Sequence, residues 1–363
     1  MPKQQTYENL KKIDLSKGIV PSMGCDPEIF VMDKKNVVIP AFTFLPRKSK
    51  ENPVYWDGFQ AEANVEPSGC LDVLQHNLIQ RLRVLQQKAD KKKGKLSIQS
   101  VIKLPLDTLK QIPHEFVALG CMPSYNAYGT KSELVVDPTE LTTRWAGGHV
   151  HFGNMDAPPN YNQMARVIDT ILGLWAVGAF QSFDDPVRRR YYGLAGEYRK
   201  PTYGKHHGFK SSKEVTNYGF EYRTLSNAWL SHPSIFHLTF EIARIAFEIA
   251  TNKALYALLV QSPLTVEAIN KCDVKLAHKL FRNNLTMFTH MFREINDMRA
   301  LKYVNTALRI EESGIESVIK NPDDIEHNWS LDKFSKLGYT ESQNEALNPK
   351  GSRYKELVDG HDS

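Results

Sequence analysis

The chain has 363 residues, 41% hydrophobic and 24% charged, with a formal net charge of +5. That is enough chain for one large core or two domains, and the charge is too mild to point to nucleic acid by itself. No run of eighteen apolar residues occurs, so no membrane-spanning helix is expected. The four cysteines (Cys25, Cys70, Cys121, Cys272) are scattered, with neither a CxxC pair nor a dense framework, which fits a reducing cytoplasm.

The start, MPKQQTYENLKKIDL, is polar and mixed in charge, unlike a secretory signal, and residues 1–20 read as an N-terminal extension. EIFVMDKKNVVIPAFTFL, 28–45, reads as a hairpin around Asp33-Lys34-Lys35-Asn36, with Pro40 marking an edge or a bulge. VYWDGFQAEANVEP, 54–67, predicts a second hairpin turning at Asp57-Gly58. A helix is predicted over 71–92, where Leu71, Leu74, Leu78, Leu82 and Leu85 keep helical spacing ahead of Gly94. Further helices are predicted over 160–181, over 233–260 with Pro233 in the first turn, and over 273–297. Beyond about 320 the apolar pattern is lost, so 321–363 reads as a polar C-terminal arm. Residues 21–320 then form one mixed α+β unit.

Five stretches put acids, imidazoles and guanidiniums at strand spacing, where side chains at i and i+2 share a face. In GCDPEIF, Asp26 and Glu28 would repel each other unless a divalent cation lies between them. The plainer reading is a strand start with a solvated Glu28. In DGFQAEANVEP, Glu62, Asn64 and Glu66 form a polar face, either ligating or merely exposed. RWAGGHVHFG, 144–153, sends His149 and His151 into one space, and its glycines let a backbone or ligand come close. RRRYYGLAGEYRKPTYG, 188–204, is a solvated basic patch or a formed loop holding an anion through arginine forks. In GFEYRTLSN, Glu221 and Arg223 either pair with each other or serve as a metal ligand beside a charge-stabilising arginine. Together the set suits two divalent cations and a phosphate-binding guanidinium.

The order and spacing of these five stretches resemble the bacteriophage-type carboxylate–amine ligases, or amidoligases, of the glutamine synthetase and glutamate–cysteine ligase superfamily. The resemblance covers about residues 22–230, with less specific helices to about 310. It implies a catalytic domain over 21–320 built as a curved antiparallel sheet, with the site on the concave face and helices on the other. It also implies ATP and Mg2+ or Mn2+ as cofactors, an acyl phosphate made from a carboxylate and ATP, and an amine that displaces the phosphate. By position, Asp26, Glu28, Glu62, His149 and Glu221 match metal-binding residues, with Glu66 as an alternative to Glu62. His151 matches a histidine facing nucleotide or substrate, Arg223 the arginine beside the transferred phosphoryl group, and Arg190 and Arg199 arginines holding phosphate or carboxylate. Glutamine synthetase has two glutamates on the first strand; Asp26 is one methylene shorter. The expected partners are small-molecule, peptide or modified-polymer carboxylates and amines, with nucleic acid only as a modified substrate and no membrane. The expected compartment is the cytoplasm, that of the host if the chain is phage-encoded. A cupin-like metal enzyme and a non-catalytic phage protein that retains the fold are the alternatives.

Overall fold

The computed structural model describes residues 7–15, 20–49, 51–117, 124–132, 137–207, 214–296 and 300–331. Eleven strands are found among them: β1 Ser22–Met32, β2 Val54–Asp57, β3 Gln60–Ala63, β4 Lys95–Ser97, β5 Val101–Lys103, β6 Tyr125–Asn126, β7 Thr143–Trp145, β8 Gly148–Met155, β9 Glu197–Arg199, β10 Thr202–His207 and β11 Glu214–Tyr222. Nine join one antiparallel sheet in the order β2-β3-β1-β8-β11-β9-β6, with β4 also on β1 and β10 also on β11. β5 and β7 pair separately. The class is α+β, as expected.

The alternation of the central strands separates two faces. Cys25, Ile29 and Val31 of β1, Val150 and Phe152 of β8, and Phe220 and Tyr222 of β11 belong to the main hydrophobic core. Against them lie the helices Leu71–Asp90, Tyr161–Ile168 and Pro233–Thr251, with Phe152 stacked on Phe247 at 5.3 Å. The intervening residues Asp26, Glu28, His149, His151 and Glu221 therefore face the other way. Where that second face continues along β1, Phe30 and Met32 join a smaller core with Phe59, Ile102, Leu104, Leu109 and Ala146. The polar site is thus flanked by a dry wall at one end.

The second predicted hairpin forms, with Asp57 opposite Gln60 and Gly58 at φ +65°. Of the first, only the turn and a single bridge from Met32 to Val38 form. Asn36 takes φ +59°, and the Asp33 carboxylate accepts from the backbone of Lys35 and Val37. After Pro40 the chain enters a short 3-10 turn, Ala41–Thr43, because proline brings no ladder donor.

The predicted helix over 71–92 ends at Asp90. That over 160–181 is one rod with a π turn at Asp169–Gly173. That over 233–260 starts on Pro233 but stops at Thr251, where Asn252 leaves helical geometry and caps the short turn Lys253–Tyr256. The helix predicted over 273–297 divides into Val274–Arg282 and Leu285–Asn296. The arm predicted from 321 starts too early. Ile325 and Trp329 are buried in the main core, and the Trp329 indole N–H donates to the Leu230 carbonyl at 2.6 Å. A polar-looking segment can dock through two large apolar anchors, which composition alone conceals. Residues 332–363 lie outside the described part of the chain. No helix among the described residues is long and apolar enough to cross a membrane. Cys25, Cys70 and Cys272 are free thiols, and Cys121 lies outside the described residues.

Candidate functional site

Antiparallel register sets three rows of side chains across the inner face. Tyr55, Glu62 and Glu28 lie in one row, because Tyr55 pairs with Glu62 and Glu62 with Glu28. Asp26 faces His149 in the next. His151, Glu221 and Arg199 make the third. The glycine pair ahead of the histidines lets β8 and β1 approach the residues behind them. A Cβ on Gly148 would overlap the Trp229 indole nitrogen and the Ser226 carbonyl, and one on Gly147 would come within 2.7 Å of the Tyr192 ring. Gly147 also bonds Glu28 twice: its carbonyl accepts from the Glu28 N–H at 3.0 Å, and its N–H donates to Glu28 Oε2 at 2.7 Å.

Two groups of possible ligands result, each with its donor atoms within 4.8 Å of one another: Glu28 with Asp57 and Glu62, and Asp26 with His151 and Glu221. His149 belongs with the second group, since its Nδ1 lies 3.1 Å from Asp26 Oδ1 and 3.7 Å from Glu221 Oε1. His151 Nε2 approaches the same Asp26 oxygen at 2.9 Å, and its Nδ1 meets the Tyr203 hydroxyl at 2.7 Å. The first group is all oxygen and the second mixes oxygen with imidazole nitrogen. An all-oxygen set suits hard cations such as Mg2+ or Mn2+, and a set that mixes carboxylate with imidazole suits a wider range of divalent metals.

The electrostatics separate the two groups. Burial, with the negative charges of Asp57 and Glu62 adding to it, pushes the Glu28 carboxyl up to about 8. Burial and then the charge of Asp26 push Glu62 up to about 7. Burial also raises Asp57. Three acids that resist ionisation together are what a divalent cation would relieve. In the second group burial opposes the charge on Asp26, but His151 and His149 outweigh it and hold that carboxyl well below the usual range. Burial and the Arg223 charge keep His149 low, whereas Asp26 lifts His151 against burial.

Tyr192 and Arg223 connect the groups. The Tyr192 hydroxyl donates to Glu28 Oε1 at 2.7 Å, bonds His149 Nε2 and accepts from Arg223 Nη2 at 3.1 Å. Arg223 Nη1 pairs with Glu221, and Arg199 Nη1 reaches the same Glu221 oxygen at 3.6 Å. Glu28, His149 and Arg223 are all buried. Lys48 approaches Glu62 at 3.3 Å from the exposed side, and the Tyr55 hydroxyl donates to the same carboxylate.

Of the residues singled out from sequence, Asp26, Glu28, Glu62, His149, His151, Arg199, Glu221 and Arg223 come together in this way. Glu62 is buried beside Glu28, whereas Glu66 is exposed. Arg190 is exposed, with its guanidinium over the Tyr191 ring. Its neighbours Arg188 and Arg189 are buried on Asp184 and on the Thr224 carbonyl, so two of the three arginines anchor a loop. The sequence reading missed Asp57, which it treated as a turn residue, and Tyr192, which lay inside the basic stretch. For Asp57 the available signal was alternation, since it is two residues from the inward-facing Tyr55. For Tyr192 there was none.

Residues 138–331, more than half of the chain, match the family described as phage phiEco32-like COOH.NH2 ligase-type 2. The match includes His149, His151, Glu221 and Arg223, whereas Asp26, Glu28, Asp57 and Glu62 precede it. No curated protein and no solved structure matches the chain.

Proposed function

The chain belongs to the phage phiEco32-like COOH.NH2 ligase-type 2 family, and on that premise we propose that it joins a carboxylate to an amine at the expense of ATP, through an acyl phosphate. A carboxylate is a poor electrophile, because its oxygen is a poor leaving group and its charge repels nucleophiles. Transfer of the ATP γ-phosphoryl group to that oxygen forms a P–O bond and releases ADP. Attack by the amine then forms the C–N bond, and phosphate leaves with the carboxylate oxygen. The protein's part in such a transfer is mostly positioning and charge neutralisation.

Glu28, Asp57 and Glu62 would hold one divalent cation, and Asp26, Glu221 and the histidine pair the other. Bound there, the cations would neutralise phosphate oxygens and orient the transfer. Arg223 would meet the charge that develops on the moving phosphoryl group. Arg199, beside Glu221 and partly exposed, would hold phosphate or substrate carboxylate. The observation that carries this reading is the convergence of acids from β1, β2, β3 and β11, the histidines of β8 and a buried arginine on one sheet face. The donor set is rich in carboxylate, which favours a phosphoryl-transfer site over a cupin-like metal centre.

The test uses hydroxylamine as a surrogate amine, with ATP, Mg2+ and a panel of amino-acid and peptide carboxylates. ADP, phosphate and a hydroxamate are expected in equal amounts. AMP with pyrophosphate would replace the acyl phosphate by an acyl adenylate. No nucleotide turnover with any carboxylate would favour a protein that keeps the fold without the activity.

A further inference from the structure

The segment Asp184–Gly193 carries more buried machinery than a surface loop needs. Arg188 and Arg189 share the Asp184 carboxylate and both donate to the carbonyl of Thr224, the residue after Arg223. Gly193 takes φ +73°, and a Cβ there would overlap the Arg188 guanidinium. The helix Pro186–Tyr191 ends at Tyr192, whose ring stacks on Trp145 with centroids 6.3 Å apart. The room for that ring comes from Gly147. All of this fixes one phenol against Glu28, His149 and Arg223.

The Tyr192 hydroxyl meets Glu28 Oε1 at 2.7 Å, Arg223 Nη2 at 3.1 Å and His149 Nε2. Held through Nε2, the imidazole turns its other nitrogen toward the second group: Nδ1 lies 3.1 Å from Asp26 Oδ1 and 3.7 Å from Glu221 Oε1. One hydroxyl thus touches a candidate ligand of each group.

We propose that Tyr192 is a positioning residue that holds His149 through Nε2, so that Nδ1 is offered to the second carboxylate group, and that it couples this group to Glu28, so that one hydroxyl prepares both cation sites. The inference rests on the cation reading above, not on turnover. Partners that orient a ligand typically change metal affinity by 10–100-fold.

The experiment is Mn2+ titration, by calorimetry and by electron paramagnetic resonance, of wild type, Tyr192→Phe and Glu62→Gln. Melting in chelator serves as the fold control. Glu62→Gln should weaken one class of site. Tyr192→Phe should weaken both, each by about 10–100-fold, because its hydroxyl touches Glu28 on one side and His149 on the other. In Mg2+-loaded wild type, 15N spectra of histidine should place the His149 proton on Nε2, and they provide a second readout should the phenylalanine variant fail to fold. Unchanged Mn2+ affinity in Tyr192→Phe, or a proton on Nδ1 in the loaded wild type, overturns the proposal and leaves the cation sites standing. A wild type that binds no Mn2+ overturns the proposal and the cation reading together.

Discussion

Arg223 is the residue at which a bland and a catalytic reading diverge most. It pairs with Glu221, two residues away on the same strand face, and a surface pair of that kind contributes about 0–1 kcal/mol. This pair is buried, however, and the other arm of the guanidinium donates to the Tyr192 hydroxyl at 3.1 Å. Burial opposes its charge, but Tyr192, Glu221 and Glu28 more than compensate, so Arg223 stays firmly protonated. The planar fork serves two partners at once, which a lysine ammonium at the end of a flexible stem does not reproduce. Arg223→Lys should therefore lower single-turnover ADP formation on the order of 10²-fold or more, as loss of one preorganised transition-state donor does. ATP affinity should change much less. Unchanged turnover with a lowered melting temperature would make Arg223 a structural residue.

At the scale of elements, periodicity recovered what packing periodicity controls and missed what single contacts control. The leucines of helix Leu71–Asp90 and the turn at Asp57-Gly58 follow directly from local pattern. So did the same-face placement of His149 with His151 and of Asp26 with Glu28, because a strand's period is two. What local pattern does not contain is register. Nothing within GCDPEIF specifies that Asp26 will lie opposite His149, or that Asp57 will join Glu28 and Glu62. Nor does pattern separate Arg188 and Arg189, buried on Asp184, from the exposed Arg190 beside them.

The π turn inside the predicted helix 160–181 is a further element that periodicity passes over. Its first residue, Asp169, is fully buried and accepts from the Tyr222 hydroxyl at 2.6 Å. Gly173 completes the turn where a Cβ would come within 2.8 Å of that hydroxyl. Burial raises the Asp169 carboxyl from 3.8 to about 7. Between those values the folded chain keeps a proton that the unfolded chain releases, so this residue makes stability fall as pH rises through the window and level off above it. Asp169→Asn keeps an acceptor for Tyr222 and removes the titration. Its stability relative to wild type should therefore grow from pH 4 to 7, by on the order of 2–4 kcal/mol, and stay constant above. Melting temperatures of both proteins across pH 4–8 check this, and a difference independent of pH would refute the assignment to Asp169.

For the whole molecule the question is where the folded unit ends. A boundary at 320 treats Asn321–Leu331 as an appendage. The structure makes it the closing piece of the core. Trp329 is fully buried, packs edge-on against Phe236 with centroids 6.0 Å apart, and satisfies its indole N–H on Leu230. Asn328 donates to the Ser231 carbonyl, and Asp323 accepts from Ser97 and from the Ile98 backbone, which ties the segment to β4 as well. Leu230 and Ser231 lie in the 3-10 turn Asn227–Ser231, and Asn227 at its start donates to the Glu28 carbonyl at 2.8 Å. The C-terminal segment thus supports, from behind, the turn that holds the first acidic strand. Truncating a buried tryptophan costs about 3–5 kcal/mol, a large part of the stability of an ordinary domain. Trp329→Ala should therefore lower the denaturation midpoint sharply, and a chain ending at Lys320 should not fold cooperatively. A chain ending at Leu331 should keep a cooperative transition, because the anchors Ile325 and Trp329 remain in place. Urea titrations of the three proteins followed by tryptophan fluorescence give the answer. Equal midpoints for the chains ending at Lys320 and Leu331 would place the boundary at 320 after all, and would remove Trp329 from the support of the site.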